Sequence, residues 1–168
     1  MNAIDDEISV LAIGVVAALK EKGLCFATAE SCTGGAVSQA ITSVAGCSSI
    51  MRGAVVAYHN EVKMNVLGVL PSSLEQHGAV SREVVEQMVC GVSRLLCAEC
   101  AVATTGVAGP GGGTPDKPVG TVWIAAKVGD SVAVELLSLK DEGRATNVKQ
   151  TVAAVLRLVK ERLCGNTF

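Results

Sequence analysis

The sequence predicts an α/β layered sandwich, a single domain over residues 1–168 built on a mostly parallel, mixed sheet flanked by helices. Three observations predict it. Segments with helical apolar spacing alternate with short Ala/Val-rich runs that do not alternate polar with apolar, the mark of strands buried on both faces. Two adjacent strand-like runs bracket a Gly129-Asp130 turn and add one antiparallel hairpin. The 168 residues, 49% of them apolar, suffice for one compact core and are cramped for two.

The elements follow in order. Ile4, Ile8, Leu11, Val15 and Leu19 recur at spacings of three and four, so 4–22 reads as an amphipathic helix stopped by Gly23. Residues 24–29 read as a short buried strand, and after Ser31-Cys32-Thr33-Gly34-Gly35 a second helix runs to about Ser43. Gly53 to Tyr58 is a second buried strand, followed by Asn60 as the N-cap of a short helix over 61–67 that ends at Gly68. Pro71 starts a loop with another turn of helix. Ser81 caps the clearest interior helix, to Cys97, with Val84, Val85, Met88, Val92, Leu95 and Leu96 on its apolar face. A strand over 100–105 leads into an irregular stretch, Gly106 to Gly120; strands over 119–128 and 132–139 and a closing helix over 144–163 complete the chain.

Composition excludes several functions. Aromatic residues make up 2% of the chain, too few for base stacking, and a net charge of −2 without a Lys/Arg run argues against a nucleic-acid or anionic-membrane partner. The acidic start, Asp5-Asp6-Glu7, and a longest apolar run of only Leu11 to Leu19 fit neither a signal peptide nor a membrane span. Seven cysteines, an odd number scattered through an apolar chain, read as reduced thiols in a cytoplasm.

Ligands in open α/β sheets bind beyond the carboxyl ends of strands, and three segments lie there. In Ala29-Glu30-Ser31-Cys32-Thr33-Gly34-Gly35, Ser31 approaches free backbone N–H groups and a helix N-terminus, an oxyanion or phosphate environment; the alternative is a plain cap and tight turn. Ala29 excludes a G-x-S-x-G elbow, and Gly34 stands where an S-x-x-K motif needs lysine. In Tyr58-His59-Asn60-Glu61-Val62-Lys63, a lysine in the first turn of a helix is disfavoured by the dipole, and a lysine with a lowered pKa can serve a serine as general base. Otherwise Lys63 is a solvated surface lysine. The segment from Thr104 to Thr121 contains fifteen structureless residues rich in glycine, including Gly106 and Gly109; it lacks the ending of a P-loop but invites close approach of a ligand to backbone. Cys97-Ala98-Glu99-Cys100 has no second cysteine pair at zinc spacing, and His59 and His77 lack ligand partners, so no metal and no cofactor are expected.

At these segments the chain resembles the CinA C-terminal domain family, in its stand-alone form. The resemblance runs from about residue 8 to 163 and rests on Thr28 to Gly35, Gly53 to Lys63, His77 to Ser81 and Thr105 to Trp123. It implies metal-independent hydrolysis of the carboxamide of nicotinamide mononucleotide to nicotinate mononucleotide and ammonia, in pyridine-nucleotide salvage. By that resemblance Ser31 is the nucleophile and Lys63 the base, with Tyr58 as hydrogen-bonding support, Thr105 at the reacting group and Arg144 on the substrate. Thr105 stands where some relatives have serine, and Arg144 has the weakest local match. Backbone N–H groups around Cys32 to Gly35 would hold the oxyanion; Thr33, Gly34, Gly35, Gly106, Gly109 and Arg144 form the expected substrate-binding set. The Ala/Val-rich surface favours a homo-oligomer. Two alternatives stand beside this one: a catalytically silent nucleotide-binding or interaction module, since similar domains occur in proteins named for competence and DNA damage, and a hydrolase that uses Cys32.

Overall fold

The computed structural model describes residues 3–165; residues 1, 2 and 166–168 of the expected domain lie outside them. The elements are α1 (Ala3–Lys22), β1 (Phe26–Glu30), α2 (Ala36–Thr42), a 3₁₀ turn (Cys47–Ser49), β2 (Met51–Val56), α3 (Asn60–Asn65), α4 (Pro71–His77), α5 (Arg82–Leu95), β3 (Cys100–Gly106), β4 (Thr121–Val128), β5 (Ser131–Ser138) and α6 (Arg144–Cys164). They form one five-stranded sheet in the order β2-β1-β3-β4-β5. Parallel pairing is confined to β2, β1 and β3; β4 and β5 each run antiparallel to the strand before.

Because side chains alternate across a strand, the two sheet faces receive different residues. Phe26, Cys100, Val102, Val122, Ile124 and Ala126 pack under α1, α2 and α6. The opposite face presents Ala27, Ala29, Ala101, Ala103 and Ala125 to Val84, Val85, Met88, Val89 and Val92 of α5. This row of alanines lets α5 lie close on the sheet. Three layers result, with the sheet in the middle.

Register positions the site. Glu30, the last residue of β1, pairs with Val56 of β2 on one side and with Thr104 of β3 on the other. The carboxyl ends of β1 and β2 are therefore level, β3 runs two residues further along β4, and the chain leaves all three at the same edge of the sheet.

The structure differs from the sequence reading in four places. Instead of a buried strand starting at Gly53, β2 starts at Met51, stops at Val56 and is exposed at alternate residues, since it is an edge strand paired on one side only. His59, not Asn60, caps α3: its backbone is extended, and Nδ1 accepts the Glu61 N–H at 3.3 Å while Asn60 is already helical. The turn after Pro71 is a seven-residue helix, α4, with proline in the first turn where its missing N–H costs nothing. Finally, the stretch after β3 is less irregular than it reads, because Val107 donates to Thr121 O and Gly120 to Val107 O, carrying the β3–β4 ladder beyond the strand ends.

Candidate active site

Immediately after β1 the chain turns sharply into α2. Gly34 and Gly35 both have positive φ, 59° and 104°, which only glycine adopts freely, and Gly34 N–H closes on Ser31 O at 3.1 Å. Ser31 itself is half-buried, its N–H donating to Thr104 O at 3.0 Å, so the serine backbone continues the β1–β3 ladder by one residue.

The ε-amine of Lys63 meets this serine from α3. Its Nζ lies 3.1 Å from Ser31 Oγ, 2.7 Å from the Ala57 carbonyl oxygen and 3.3 Å from the Tyr58 carbonyl oxygen, and the residue is 1% exposed. Burial holds its pKa below the usual lysine value of 10.5. The cause differs from the one the sequence suggested: desolvation, not the dipole of a six-residue helix. A neutral amine has two N–H groups and one lone pair. The ammonium form donates to all three oxygens, whereas the neutral form keeps both carbonyls and turns its lone pair to the Ser31 hydroxyl proton.

Other expected residues fall differently. The Tyr58 hydroxyl does not touch Lys63; the side chain is 58% exposed, and its OH accepts from Arg144 Nη2 at 2.7 Å. Arg144, exposed in the first turn of α6, also donates through Nη1 to Gly109 O at 2.9 Å, so its guanidinium bridges the chain after β2 and the chain after β3. Thr105 Oγ1 donates to Ala79 O at 2.8 Å, tying β3 to the segment before α5 rather than to the serine.

Most of the expected anion cradle is occupied from within. Thr33 is 5% exposed, its hydroxyl between Glu30 Oε2 at 2.7 Å and Thr104 Oγ1 at 2.8 Å, so it faces the core and not a ligand. Gly35 N–H donates to Glu30 Oε2 at 3.0 Å, and Gly34 N–H is the turn donor already described. Among the described residues, the N–H groups of Cys32 and Thr33 are the ones in this turn with no acceptor. Gly106 and Gly109 serve packing: a Cβ at the first would strike Val122 and at the second Val119.

Cys32 is 6% exposed, and burial pushes its thiol up to about 11, so near neutral pH it is a thiol and a poor nucleophile. Among the described residues no three His, Cys, Asp or Glu side chains are grouped as metal ligands, and no helix is long and apolar enough to cross a membrane. A groove of about 990 Å³ runs between α1, α2 and α6; it includes Ala36 and Arg144, mixes apolar residues with Asp5, Gln39 and Lys149, and does not include the serine.

Sequence reasoning passed over Glu30. Its carboxylate, 0% exposed, accepts from Thr28 Oγ1, Thr33 Oγ1 and the N–H groups of Gly35, Val37 and Ser38. A charged residue closing an otherwise apolar strand was the available signal.

Comparison with known proteins identifies the family and the fold. The model of the CinA C-terminal domain matches residues 9–163. A CinA-like protein of Cytophaga hutchinsonii is 43% identical over 145 residues, 86% of this chain and 34% of that protein, and one of Amoebophilus asiaticus is 44% identical over 88% of this chain and 35% of its own length. The chain thus spans about a third of the length of these curated relatives. Among solved structures, the competence/damage inducible protein CihA of Agrobacterium tumefaciens superposes with a TM-score of 0.91 at 38% identity, covering 95% of this chain and 96% of that one. The competence damage-inducible protein A of Klebsiella pneumoniae does so with 0.91 at 33% identity, covering 95% and 99%.

Proposed function

The chain belongs to the CinA C-terminal domain family, and on that premise we propose that it hydrolyses the carboxamide of nicotinamide mononucleotide, without a metal, to nicotinate mononucleotide and ammonia. The observation that carries the reading is the 3.1 Å separation of Lys63 Nζ from Ser31 Oγ, with both remaining directions of the amine taken by carbonyls.

The chemistry follows from those directions. The Lys63 lone pair takes the Ser31 proton as Oγ bonds to the amide carbon, and the carbonyl π pair moves onto oxygen. The N–H groups of Cys32 and Thr33 are the free donors for that oxyanion, each worth about 3 kcal/mol when well aimed. As the tetrahedral adduct collapses, the Lys63 ammonium protonates the departing nitrogen, which leaves as ammonia. Water, deprotonated by the same amine, then cleaves the acyl ester and restores the serine. Arg144, whose fork rests on two neutral oxygens, is the group for the substrate phosphate. Thr105 contributes by fixing β3 against Ala79.

In this reading the substrate is a small molecule, with no nucleic-acid or membrane partner, and the chain acts in the cytoplasm as a homo-oligomer; Ile13, 57% exposed in the α1–α2–α6 groove, and Val10, 64% exposed on the same helix, support the last point.

The test is ammonia release from nicotinamide mononucleotide in EDTA. Wild type turns over and Ser31→Ala does not. Binding without release points to a silent nucleotide-binding module, and loss of activity on thiol blockade with Ser31→Ala still active points to Cys32.

A further inference from the structure

The Glu30 carboxylate is fully buried. A buried carboxyl group persists only when its oxygens are satisfied, and here five donors converge on it. Oε1 accepts from Thr28 Oγ1 at 3.1 Å and Ser38 N at 2.8 Å; Oε2 accepts from Thr33 Oγ1 at 2.7 Å, Gly35 N at 3.0 Å and Val37 N at 3.0 Å. Two of these donors are side chains of the strand and the turn, and three are backbone groups at the start of α2. The carboxylate therefore closes residues 30–38 into a ring, and Ser31 lies on that ring next to its anchor.

Neither oxygen of Glu30 bonds to Ser31 Oγ or Lys63 Nζ. Lys63, in turn, comes from α3, held by Ala57 and Tyr58. The serine and its base are thus fixed by separate supports, and their 3.1 Å separation depends on how firmly each support holds. Resting on the serine–lysine reading above, we infer that Glu30 is the positioning residue of this site: by anchoring the turn to the strand end it aims Ser31 Oγ at Lys63. It also occupies the N–H groups at the start of α2, so a substrate anion is excluded from that end and directed elsewhere.

Glutamine is the sharp substitution. Both oxygen positions face a backbone N–H, so whichever way the amide of Glu30→Gln turns, its NH₂ confronts a donor and the ring loosens. Two readouts on the full chain separate the possibilities: the rate at which a fluorophosphonate labels Ser31, followed by intact mass, and kcat and KM with nicotinamide mononucleotide. Glu30→Gln lowers labelling and kcat about 100-fold, as an ångström-scale misplacement does, while KM stays within about threefold. The pH midpoint of labelling stays at the wild-type value, because the burial and carbonyl partners of Lys63 are unchanged. A merely structural role lowers the folded fraction but not the labelling rate of what remains folded. Thr33→Val, which removes one donor and keeps volume, gives a smaller loss, about tenfold, and decides the matter if Glu30→Gln does not fold.

Labelling and kcat of the folded variant within about threefold of wild type overturn the inference, as does a rise in KM with labelling unchanged. A wild-type protein whose Ser31 resists the reagent overturns it together with the serine–lysine reading. Labelling that depends on Glu30, in a protein that releases no ammonia from nicotinamide mononucleotide, overturns the substrate assignment alone.

Discussion

Lys63 shows how far a side chain's chemistry depends on its location. In water its amine would be protonated at any physiological pH; here burial disfavours the ammonium form and two carbonyls occupy its N–H groups. Activity requires the neutral form, so kcat/KM rises with pH through a midpoint below 10.5 and then levels. Stability moves the same way. In the unfolded chain the lysine keeps its proton up to 10.5, so between the lowered folded value and 10.5 the unfolded state binds more protons, and the free energy of unfolding grows with pH across that window. Lys63→Met removes this slope, keeps the fold and lowers kcat about 10³-fold, whereas Lys63→Arg restores nothing because guanidinium stays charged. A pH–rate profile with urea melts at two pH values reads both effects. A Met variant within tenfold of wild type excludes the amine as base. Lys63 was legible in the sequence from its place just beyond a strand; the cause of its lowered pKa was not, because burial depends on what covers a residue.

The elements were legible in proportion to their own patterning. α5 carries a cap, a period and an apolar face within fourteen residues, and it was read nearly to the residue. β2 and α4 are stabilised by neighbours instead: β2 by pairing with β1, and α4 by Pro71 and by Gln87 Nε2 of α5 donating to Ser73 Oγ at 2.7 Å. Such help is invisible in a short window. Gly91, in the interior of α5, is a further case, since a helix ordinarily disfavours glycine there. A Cβ at this position would collide with the carbonyl oxygen of Leu67, in the segment that leaves α3. The absent side chain thus lets α5 press against the helix that carries Lys63. Gly91→Ala therefore costs about 2–3 kcal/mol despite alanine's better helix propensity, and it lowers kcat by displacing α3. Urea denaturation gives the first and steady-state kinetics the second. A stabilised variant would show that the segment after α3 yields at no cost.

For the molecule as a whole, the sequence placed three candidate segments beyond the carboxyl ends of strands, while the strand order that gathers them and the contacts that close the site come from the fold. The carboxyl ends of β1, β2 and β3 lie at one edge of the sheet, so Ser31, the Ala57–Tyr58 pair and Thr105 come together there. Arg144 comes from the far end of the chain, 86 residues beyond Tyr58 and 35 beyond Gly109, and binds both. No local pattern encodes a meeting over that separation. In the proposed function the guanidinium exchanges these neutral partners for the substrate phosphate, so Arg144→Ala raises KM for nicotinamide mononucleotide about 30-fold and changes kcat little, the loss typical of a hydrogen bond to a charged group. Nicotinamide riboside lacks the phosphate, and its kcat/KM is the same in both proteins. Tyr58→Phe removes only one acceptor of the waiting arginine and leaves kcat and the Lys63 pH midpoint intact, because the hydroxyl never reaches the amine. The two substitutions act on one hydrogen bond, so their effects on KM are not additive in the double variant. Additive effects would mean that Arg144 meets the substrate independently of Tyr58, and a riboside penalty equal to that of the mononucleotide would mean that the arginine holds the structure of the site mouth rather than a phosphate.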